Sequence, residues 1–456
     1  MNQMRNNDAK RDNLSNLQKE FGGTDKLLNA LSHEFISNFN QNADDLLRPI
    51  PTESFDMTIT EQEVFNVLSH LKVNKSVGPD NIPPRLLKEG AAWLCVPLTK
   101  IFNRSLTEMT FPRNWKLGKI CPVPKKSRPT IKDLRPISVL SSLSKVFELL
   151  ILNRMKKPLI SLYGKKQHAF RPLGSTVSAL IDVVDTISSS LDSRQTLAVH
   201  MTCLDLTKAF DKLQHNRLLN YLNARQIKPG FLKWLHSYLT DRRQYVFLNG
   251  AAGPIFKITS GVPQGSVMGP YLFAAFMGQI SSESDNEKVV MDADDMTVIE
   301  TATHSSSSSL DMIKTQITEM GLSINVSKST QLCFNRSRDH RCSDFAASDF
   351  SWKDHVKILG FILTNTLSWD KQISATLLRA SQRLYIIRTL KKVMTVQDLK
   401  LVYHSLITSL LKYCSLVYGH LCPAQLSKFE RFQKRSHRII CGNDCSCTDF
   451  PDIDSF

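Results

Sequence analysis

The chain has 456 residues, is 42% hydrophobic and carries a formal net charge of +16. Its apolar content excludes wholesale disorder, and its basic balance favours a polyanionic partner, either nucleic acid or an anionic membrane surface. The ten cysteines are irregularly spaced with no signal peptide before them, and no apolar run approaches the roughly 20 residues that span a bilayer, so a soluble protein in a reducing, intracellular compartment is predicted.

The N-terminal part of the chain is predicted to carry little regular structure. Residues 1–60 are polar and are expected to form a loosely ordered lead-in with one helix near Leu27–Phe39. Thr60 and Glu63 have the spacing of a capping box, which predicts the start of a helix. A basic, proline-rich segment at Cys121–Arg135 is predicted to be extended. Further helices are predicted, in chain order, at Arg85–Glu89, Val96–Thr107, Ser142–Met155, Tyr271–Met277 and Leu310–Met320.

Two predicted β segments carry acidic side chains. Apolar residues alternate from Leu197 to Asp205, which predicts a buried strand with a carboxylate at its carboxyl end. Val289–Ile299 has β-forming residues on both flanks and acids in the middle, which predicts a hairpin whose turn carries Asp294 and Asp295. Because charges are costly to bury without a partner, this pair indicates either a metal site or a surface hairpin turn.

The last third of the chain is predicted to be helical and strongly basic. Apolar residues recur at three- and four-residue steps from Ile373 to Ile387, a second helix is capped by Thr395, and a third is expected near Leu426–Ile440. Residues 371–440 include 13 Lys and Arg residues but only two acidic residues. This surplus predicts a phosphate-binding surface, with a solvated basic face as the alternative.

The three acids at the strand end and in the hairpin fit metal-dependent nucleotide transfer. Transfer of a nucleotide onto a 3′-hydroxyl uses two divalent cations about 4 Å apart, and magnesium typically takes one or two carboxylates per ion. The minimal protein contribution is therefore one Asp at a strand end and an Asp pair on an adjacent hairpin. Asp205, Asp294 and Asp295 supply this set.

A succession of short motifs gives these acids a context. In chain order the motifs are Asp205–Asp211 (DLTKAFD), Ser260–Pro270 (SGVPQGSVMGP), Ala293–Asp295 (ADD), Gly321–Ser329 (GLSINVSKS), and Lys357–Phe361 (KILGF) followed by Leu367–Trp369 (LSW). They resemble the palm motifs of reverse transcriptases. Finger signatures of non-LTR, LINE-type retrotransposons, jockey-like elements among them, are similar to Gly78–Asp80, Asp133–Ser138 and Phe170–Thr176. The resemblance covers roughly residues 60–440 and concerns the reverse transcriptase region without the endonuclease domain.

The resemblance implies an α+β, right-hand polymerase with fingers, an antiparallel palm sheet and a helical thumb. The implied divisions are a lead-in at 1–60, fingers at 61–195, palm at 196–370 with a fingers-side insertion near 212–258, a basic thumb and post-thumb helix at 371–440, and a tail at 441–456. It implies RNA-directed DNA polymerase activity with two Mg²⁺ ions, or Mn²⁺ in their place. The implied partners are an RNA template, a DNA primer or target DNA, and dNTPs, in a ribonucleoprotein of the nucleus and cytoplasm without a membrane partner.

The same resemblance implies roles for individual residues. Asp205, Asp294 and Asp295 would be the catalytic metal ligands, and Lys328 would donate a proton to the pyrophosphate leaving group. Phe210 would be the gate that crowds a ribose 2′-hydroxyl. The residues implied to contact the dNTP are Arg135, Leu206 through its backbone, Phe210, Gln264 and Gly265. Those implied to bind nucleic acid are Lys357, Gly360, Arg379, Arg383, Lys391 and Lys392.

Three features depart from the family's pattern, and one of them is His168-Ala169, which replaces the usual small or aromatic residues before Phe170. Asp292 stands where the family has Tyr or Phe, and it adds negative charge beside two carboxylates. The helix after Pro270 lacks the usual Asn-Asp pair at its end. These departures keep two alternatives to an active polymerase open: an impaired copy that only binds RNA or an RNA–DNA hybrid, and a decaying reading frame. Group II intron and telomerase types fit less well, because Asp133–Ser138 and the post-thumb helix match non-LTR elements better.

Overall fold

The computed structural model of the protein describes residues 14–39, 46–51, 53, 55, 57–282, 287–302, 310–335, 349–418 and 421–442. All but the first two residues of the tail predicted at 441–456 therefore lie outside the described residues. The chain divides into two compact units, each built from three segments. The first unit comprises Met1–Lys165, Leu206–Ile280 and Thr315–Ser323, and the second comprises Lys166–Asp205, Ser281–Lys314 and Ile324–Phe456.

Helices and strands alternate irregularly along the chain, which confirms the predicted α+β class. A helical segment at 14–20 precedes α1 (Thr24–Ile36), α2 (Glu61–Ser69), α3 (Pro84–Glu89), α4 (Ala91–Thr107), α5 (Ser142–Ser161), α6 (Thr176–Asp192), α7 (Ala209–Lys212), α8 (His215–Ala224), α9 (Pro229–Leu239), α10 (Gly269–Met277), α11 (Leu310–Glu319), α12 (Asp370–Leu390), α13 (Val396–Tyr403), α14 (Ser409–Leu411) and α15 (Pro423–Cys441). The strands are β1 (Leu117–Pro124), β2 (Leu134–Val139), β3 (Ala198–Leu204), β4 (Arg243–Leu248), β5 (Ala251–Ala252), β6 (Phe256–Lys257), β7 (Glu287–Asp292), β8 (Asp295–Ala302), β9 (Thr330–Asn335), β10 (Ser351–Trp352), β11 (His355–Ile358) and β12 (Phe361–Thr364). Short 3-10 turns lie at Arg113–Lys116, Ile131–Asp133 and Ser415–Val417, and a π turn lies at His404–Thr408.

The first unit contains a sheet of order β2-β1-β4-β5, with β6 also paired to β4. Leu27, Leu31 and Phe35 of α1 are buried in one core cluster with Ile120 and Val246 of this sheet. The predicted N-terminal helix is therefore present, at Thr24–Ile36 instead of Leu27–Phe39, and the lead-in division at 1–60 stays a prediction. Its apolar residues recur at helical spacing and need the sheet to bury them.

A buried acid holds the start of α10 in the first unit. Glu148 is fully buried, and its Oε2 accepts hydrogen bonds from the backbone N–H groups of Val267 at 2.7 Å and Met268 at 3.2 Å. These two N–H groups lie where a helix has no internal acceptors for them, and the helix dipole favours a negative charge there. Glu148 thereby fixes the loop that leads into α10.

The second unit contains a sheet of order β10-β9-β3-β8-β7 with β3 at its centre. The strand predicted to end at Asp205 is confirmed as β3, which is antiparallel to both neighbours. Val199 and Met201 share a core cluster with Leu180 and Val183 of α6. Ala198 of β3 belongs to a second cluster, so both faces of the strand are covered.

The predicted C-terminal helices are present in the second unit. Ile373 and Leu384 of α12 share the core cluster of β3 with Phe429 and Phe432 of α15. Thr395 caps α13, because its Oγ1 accepts from the Asp398 N–H. The divisions predicted at 61–195, 196–370 and 371–440 stay predictions.

Candidate active site and basic groove

The predicted metal ligands lie on adjacent strands of the second unit. The register of β3 against β8 places Asp205, directly after β3, beside Asp295, the first residue of β8. Ala293 and Asp294 form the turn between β7 and β8, and Asp292 lies opposite Asp295. The predicted hairpin is confirmed, with the difference that Asp295 begins a strand instead of lying in the turn.

The hairpin carboxylates raise one another's affinity for protons. Partial burial, then the charges of Asp294, Asp292 and Asp205, raise the pKa of Asp295 to about 6. Burial also raises the pKa of Asp292; His168 opposes this shift and Asp294 adds to it. A bound cation would relieve this repulsion, which is the usual electrostatic situation of a divalent-ion site.

Asp205 is held by the residues just before β9. Its N–H donates to Ser329 Oγ at 3.1 Å, and its carbonyl oxygen accepts from the Asn325 N–H at 2.7 Å. The Lys328 ammonium lies 3.7 Å from the Asp205 carboxylate. The structure therefore brings the predicted proton donor next to a predicted metal ligand.

The donor set fits an open cation site. Among the residues that the structure describes, no three His, Cys, Asp or Glu side chains converge closely enough to enclose a metal. Magnesium does not need such a cage, because it usually keeps water or substrate phosphates among its ligands. The oxygen donors of Asp205, Asp294 and Asp295, with the repulsion among them, match that preference.

The residues predicted to contact the dNTP all belong to the first unit, and two of them, Phe210 and Gln264, are connected through the loop 260–268. The Val262 N–H donates to the Phe210 carbonyl at 2.9 Å, and Gln264 Nε2 donates to Asp211 Oδ1 at 2.8 Å. The loop is thereby fastened to Phe210–Asp211. The Phe210 ring in turn stacks on Phe273 of α10, with ring centroids 4.1 Å apart.

Asp211 is an almost fully buried acid that sequence reasoning did not single out. Burial raises its pKa to about 6, although the Gln264 hydrogen bond and the charges of Lys208 and Lys125 oppose the shift. An ionised carboxylate only accepts hydrogen bonds, so it fixes the orientation of the Gln264 amide with Nε2 inward.

Three further predicted dNTP residues have distinct settings. Gly265 has φ +121, and a Cβ there would collide with the Ser138 carbonyl oxygen, so glycine is required. Arg135 lies on β2, an edge strand of its sheet, and its side chain is exposed. Leu206 has a buried side chain, 6% exposed, which leaves its backbone as the group able to contact a ligand.

The predicted nucleic-acid residues have different individual settings. Lys357 is exposed on β11, and Gly360 lies with Leu359 in the β11–β12 turn. Arg383 donates to the Leu406 carbonyl oxygen, and Arg379 donates to the carbonyl of Ala375 in its own helix. Lys392 is exposed, two residues after the end of α12 at Leu390.

Lys391 instead belongs to a different set of cations, the basic groove, with an open volume of about 670 Å³. Its lining residues are Arg388, Lys391, Arg431, Lys434, Arg435, Arg438 and Ile439. Four of the cations follow one face of α15 at positions i, i+3, i+4 and i+7. The helical spacing in the sequence was the available signal for them, but it could not show which residues of α12 lie opposite.

A family model described as "Reverse transcriptase (RNA-dependent DNA polymerase)" matches residues 123–363, which is more than half of the chain. The chain belongs to the reverse transcriptase family. The match includes the three carboxylates and Lys328 of this reverse transcriptase, together with its loop 260–268. Family membership carries the right-hand polymerase fold that the motifs predicted.

Relatives from mobile elements extend the similarity beyond that range. The RNA-directed DNA polymerase from mobile element jockey of Drosophila melanogaster is 30% identical over 411 residues, covering 84% of this chain and 44% of the relative. The probable RNA-directed DNA polymerase from transposon BS of the same organism is 25% identical over 431 residues, covering 89% and 47%. These similarities confirm the predicted LINE-type reverse transcriptase region. The chain spans about half the length of these relatives.

Similarity to solved structures is weak. A telomerase from Candida tropicalis, in complex with a fragment of telomeric RNA, aligns over 92% of this chain and 77% of its own. The TM-score is 0.42 and the identity 12%, which is too low to support a statement about ligands. Separately, none of the described helices combines the length and apolar character needed to cross a bilayer.

Proposed function

We propose that this chain is an RNA-directed DNA polymerase that adds dNTPs to the 3′-end of a primer. The observation that carries the proposal is the strand register that places Asp205 beside Asp295 at the ends of adjacent antiparallel strands, with Asp294 in the turn before Asp295. Family membership and the names of the jockey and BS relatives support the same reaction.

Asp205, Asp294 and Asp295 are proposed to hold two Mg²⁺ ions, with Mn²⁺ as a substitute. When bound, such ions stabilise the charge on the attacking and leaving oxygens of phosphoryl transfer. Lys328 is proposed to protonate the pyrophosphate leaving group as a general acid. Its ammonium lies beside Asp205, and both side chains remain accessible to solvent.

The first unit is proposed to supply the dNTP contacts. Phe210, backed by Phe273, would crowd a ribose 2′-hydroxyl. Gln264 would present its outward carbonyl oxygen to a hydrogen-bond donor of the nucleotide, and Gly265 would let the backbone approach closely. Arg135 would contribute a guanidinium for phosphate, and Leu206 its backbone.

The RNA template and DNA primer are proposed to be bound mainly through phosphates. Lys357, Gly360, Arg379, Arg383, Lys391 and Lys392 are the contacts expected from the sequence. The basic groove adds five cations to Lys391. Contacts of this kind give affinity without sequence preference.

A second candidate function is nucleic-acid binding without catalysis. The observation that favours it is Asp292, which lies opposite Asp295 and whose charge contributes to the raised pKa of Asp295. An additional negative charge there would also repel the phosphates of a primer.

Primer extension on an RNA template with an annealed DNA primer, dNTPs and Mg²⁺ separates the two functions. The native chain would be compared with Asp294→Asn, Asp292→Tyr and, as a matched control, Asp311→Asn, which removes a surface carboxylate paired with Lys314. Extension that is lost only in Asp294→Asn supports the polymerase. Extension seen only in Asp292→Tyr, or in no variant while the hybrid stays bound, supports the binding protein.

A further inference from the structure

A short segment of the second unit runs beside the strand that leads to the catalytic turn. The Met291 N–H donates to the Lys166 carbonyl at 2.8 Å, and the His168 N–H donates to the Met291 carbonyl at 2.8 Å. Lys166–His168 therefore extends the pairing of β7 by an isolated parallel bridge. This pairing directs the residue between them, Gln167, toward the hairpin.

Gln167 uses both ends of its amide on the turn. Its Oε1 accepts from the Ala293 N–H at 2.9 Å and from the Ala169 N–H at 3.0 Å. Its Nε2 donates to the Ala293 carbonyl oxygen at 3.2 Å. The side chain is 1% exposed, so water does not compete for these bonds.

Gln167 binds the backbone of a residue, Ala293, that has an unfavourable conformation. Ala293 has φ +61, a left-handed conformation that residues with a Cβ adopt only when their surroundings enforce it. Ala293 lies between Asp292 and Asp294, so its conformation sets the direction of the Asp294 carboxylate. The two hydrogen bonds with Gln167 stabilise Ala293 in this left-handed conformation.

The segment that carries Gln167 is itself anchored. The His168 ring lies 2.9 Å from Ser178 Oγ and 3.3 Å from the Asp182 carboxylate, both on α6. Asp182 also pairs with Lys288 of β7. The segment that carries Gln167 is thus fixed to α6, which is itself paired with β7, so the Gln167 side chain is held in position against the turn.

We propose that Gln167 is a positioning residue that locks the Asp292–Asp295 turn and thereby aligns Asp294 with Asp205. The catalytic consequence rests on the proposed polymerase function, whereas the fastening of the turn does not. An amide is required because it supplies a donor and an acceptor together. Gln167→Met keeps the shape without either group, and Gln167→Glu keeps only the acceptor.

Hydrogen exchange of the Ala293 amide tests the fastening without any need for activity. In Gln167→Met, exchange at Ala293 should accelerate about tenfold, the effect of losing an ordinary hydrogen bond. The matched control is Gln331→Met, which removes another buried glutamine of the second unit, one that donates to Thr202 Oγ1 at 2.9 Å. That variant should leave exchange at Ala293 unchanged.

Mn²⁺ binding and steady-state extension test the alignment. In Gln167→Met, Mn²⁺ affinity measured by electron paramagnetic resonance, or kcat, should fall by about 10- to 100-fold, as for other residues that orient metal ligands. The KM for dNTP should change little, because the dNTP contacts lie on other residues. In Gln167→Glu, the exchange rate of the Ala293 amide should lie between the rates of Gln167→Met and the native chain.

The outcomes separate this inference from the proposed function. Unchanged exchange at Ala293 in Gln167→Met overturns the fastening, whether or not the chain polymerises. Faster exchange with native Mn²⁺ affinity and native kcat overturns the alignment. If the native chain neither binds Mn²⁺ nor extends a primer, the polymerase proposal and the alignment both fail, and the exchange result still decides the fastening.

Discussion

Single carboxylates in this protein have opposite electrostatic settings. Asp211 is 6% exposed, and burial raises its pKa to about 6. Asp241 is exposed, and its hydrogen bond and ion pair with Lys257 lower its pKa. A raised pKa means that the folded state favours the protonated acid, so the ionised form costs stability at neutral pH.

Asp211→Asn should stabilise the protein at pH 7.5. The amide oxygen still accepts from Gln264, while the cost of the buried charge, at most about 3 kcal/mol for this shift, is removed. In the folded native chain, Asp211 takes up its proton as the pH falls through its pKa of about 6; in the unfolded chain this happens only at about pH 4. The gain in stability from Asp211→Asn should therefore shrink between pH 6 and pH 4. Tm measured at pH 7.5 and at pH 5 tests this expectation.

Asp241→Asn is the control for that measurement, because the pKa of Asp241 is shifted the other way. This substitution should lower Tm slightly at pH 7.5, as expected for an exposed ion pair. An equal gain for Asp211→Asn at both pH values would contradict the assignment of a buried, raised-pKa acid.

Asp292→Asn should shift the acid limb of the extension rate to lower pH. Asp295 is a proposed metal ligand and would have to be ionised to attract a cation, and Asp292 contributes to its raised pKa of about 6. Removing that charge lowers the pKa of Asp295, so activity should persist to lower pH. Rates measured between pH 5 and 8 check this, and an unmoved limb would show that Asp292 does not act on Asp295.

At the scale of elements, α15 combines an apolar and a basic face. Phe429, Phe432 and Ile440 are buried in the core of the second unit, while the four groove cations that belong to this helix are exposed: Arg431, Lys434, Arg435 and Arg438. Lys428 differs from them, because it pairs with Asp370 at 3.0 Å. Among the described residues, the helix therefore carries one cation in an ion pair, Lys428, beside the exposed cations of the basic groove.

Lys434→Gln with Arg435→Gln should weaken RNA binding and reduce its dependence on salt. Each phosphate contact contributes about 0.9 to the slope of log K against log salt on a duplex, so losing two contacts should reduce it by about 2. Fluorescence anisotropy between 50 and 300 mM KCl measures the slope. Lys428→Gln is the control and should leave the salt slope almost unchanged, because the charge of Lys428 is already paired with Asp370. Equal slopes in the control and in the double variant would argue against phosphate binding by the groove.

At the scale of the whole molecule, the charge of +16 is distributed unevenly. The largest surplus lies between residues 371 and 440, within the second unit. The three carboxylates belong to the same unit. The proposed cation site and the proposed phosphate-binding surface thus lie in one compact unit of the chain, an arrangement that suits the proposed polymerase function.

The native chain should bind RNAs of unrelated sequence with similar affinity. Phosphate contacts carry no sequence information, and the groove supplies only cations and one apolar side chain. Competition among single-stranded RNAs of equal length and different sequence, at one fixed salt concentration, tests this. Discrimination of more than about tenfold, equivalent to a specific base contact, would contradict it.

Local pattern in the sequence accounts for much of the fold and for the choice of the proposed metal ligands. Strand β3, the β7–β8 hairpin and the helices of the last third follow from apolar periodicity and capping residues, because these features act over a few neighbouring positions. The motifs around Asp205, Asp294 and Asp295 were sufficient to predict the family. The basic character of the C-terminal helices followed from composition alone.

Only the tertiary structure decided how these parts support one another. Gln167 and Ala293 are 126 residues apart in the chain, and Asp211 and Gln264 are 53 apart; no local periodicity relates such positions. Whether a side chain is buried depends on which distant segments of the chain cover it. Burial in turn sets the pKa of an acid and the strength of a buried hydrogen bond. The sequence by itself therefore determined the family and the candidate site residues, and long-range packing determined the partners, the orientation and the proton affinity of those residues.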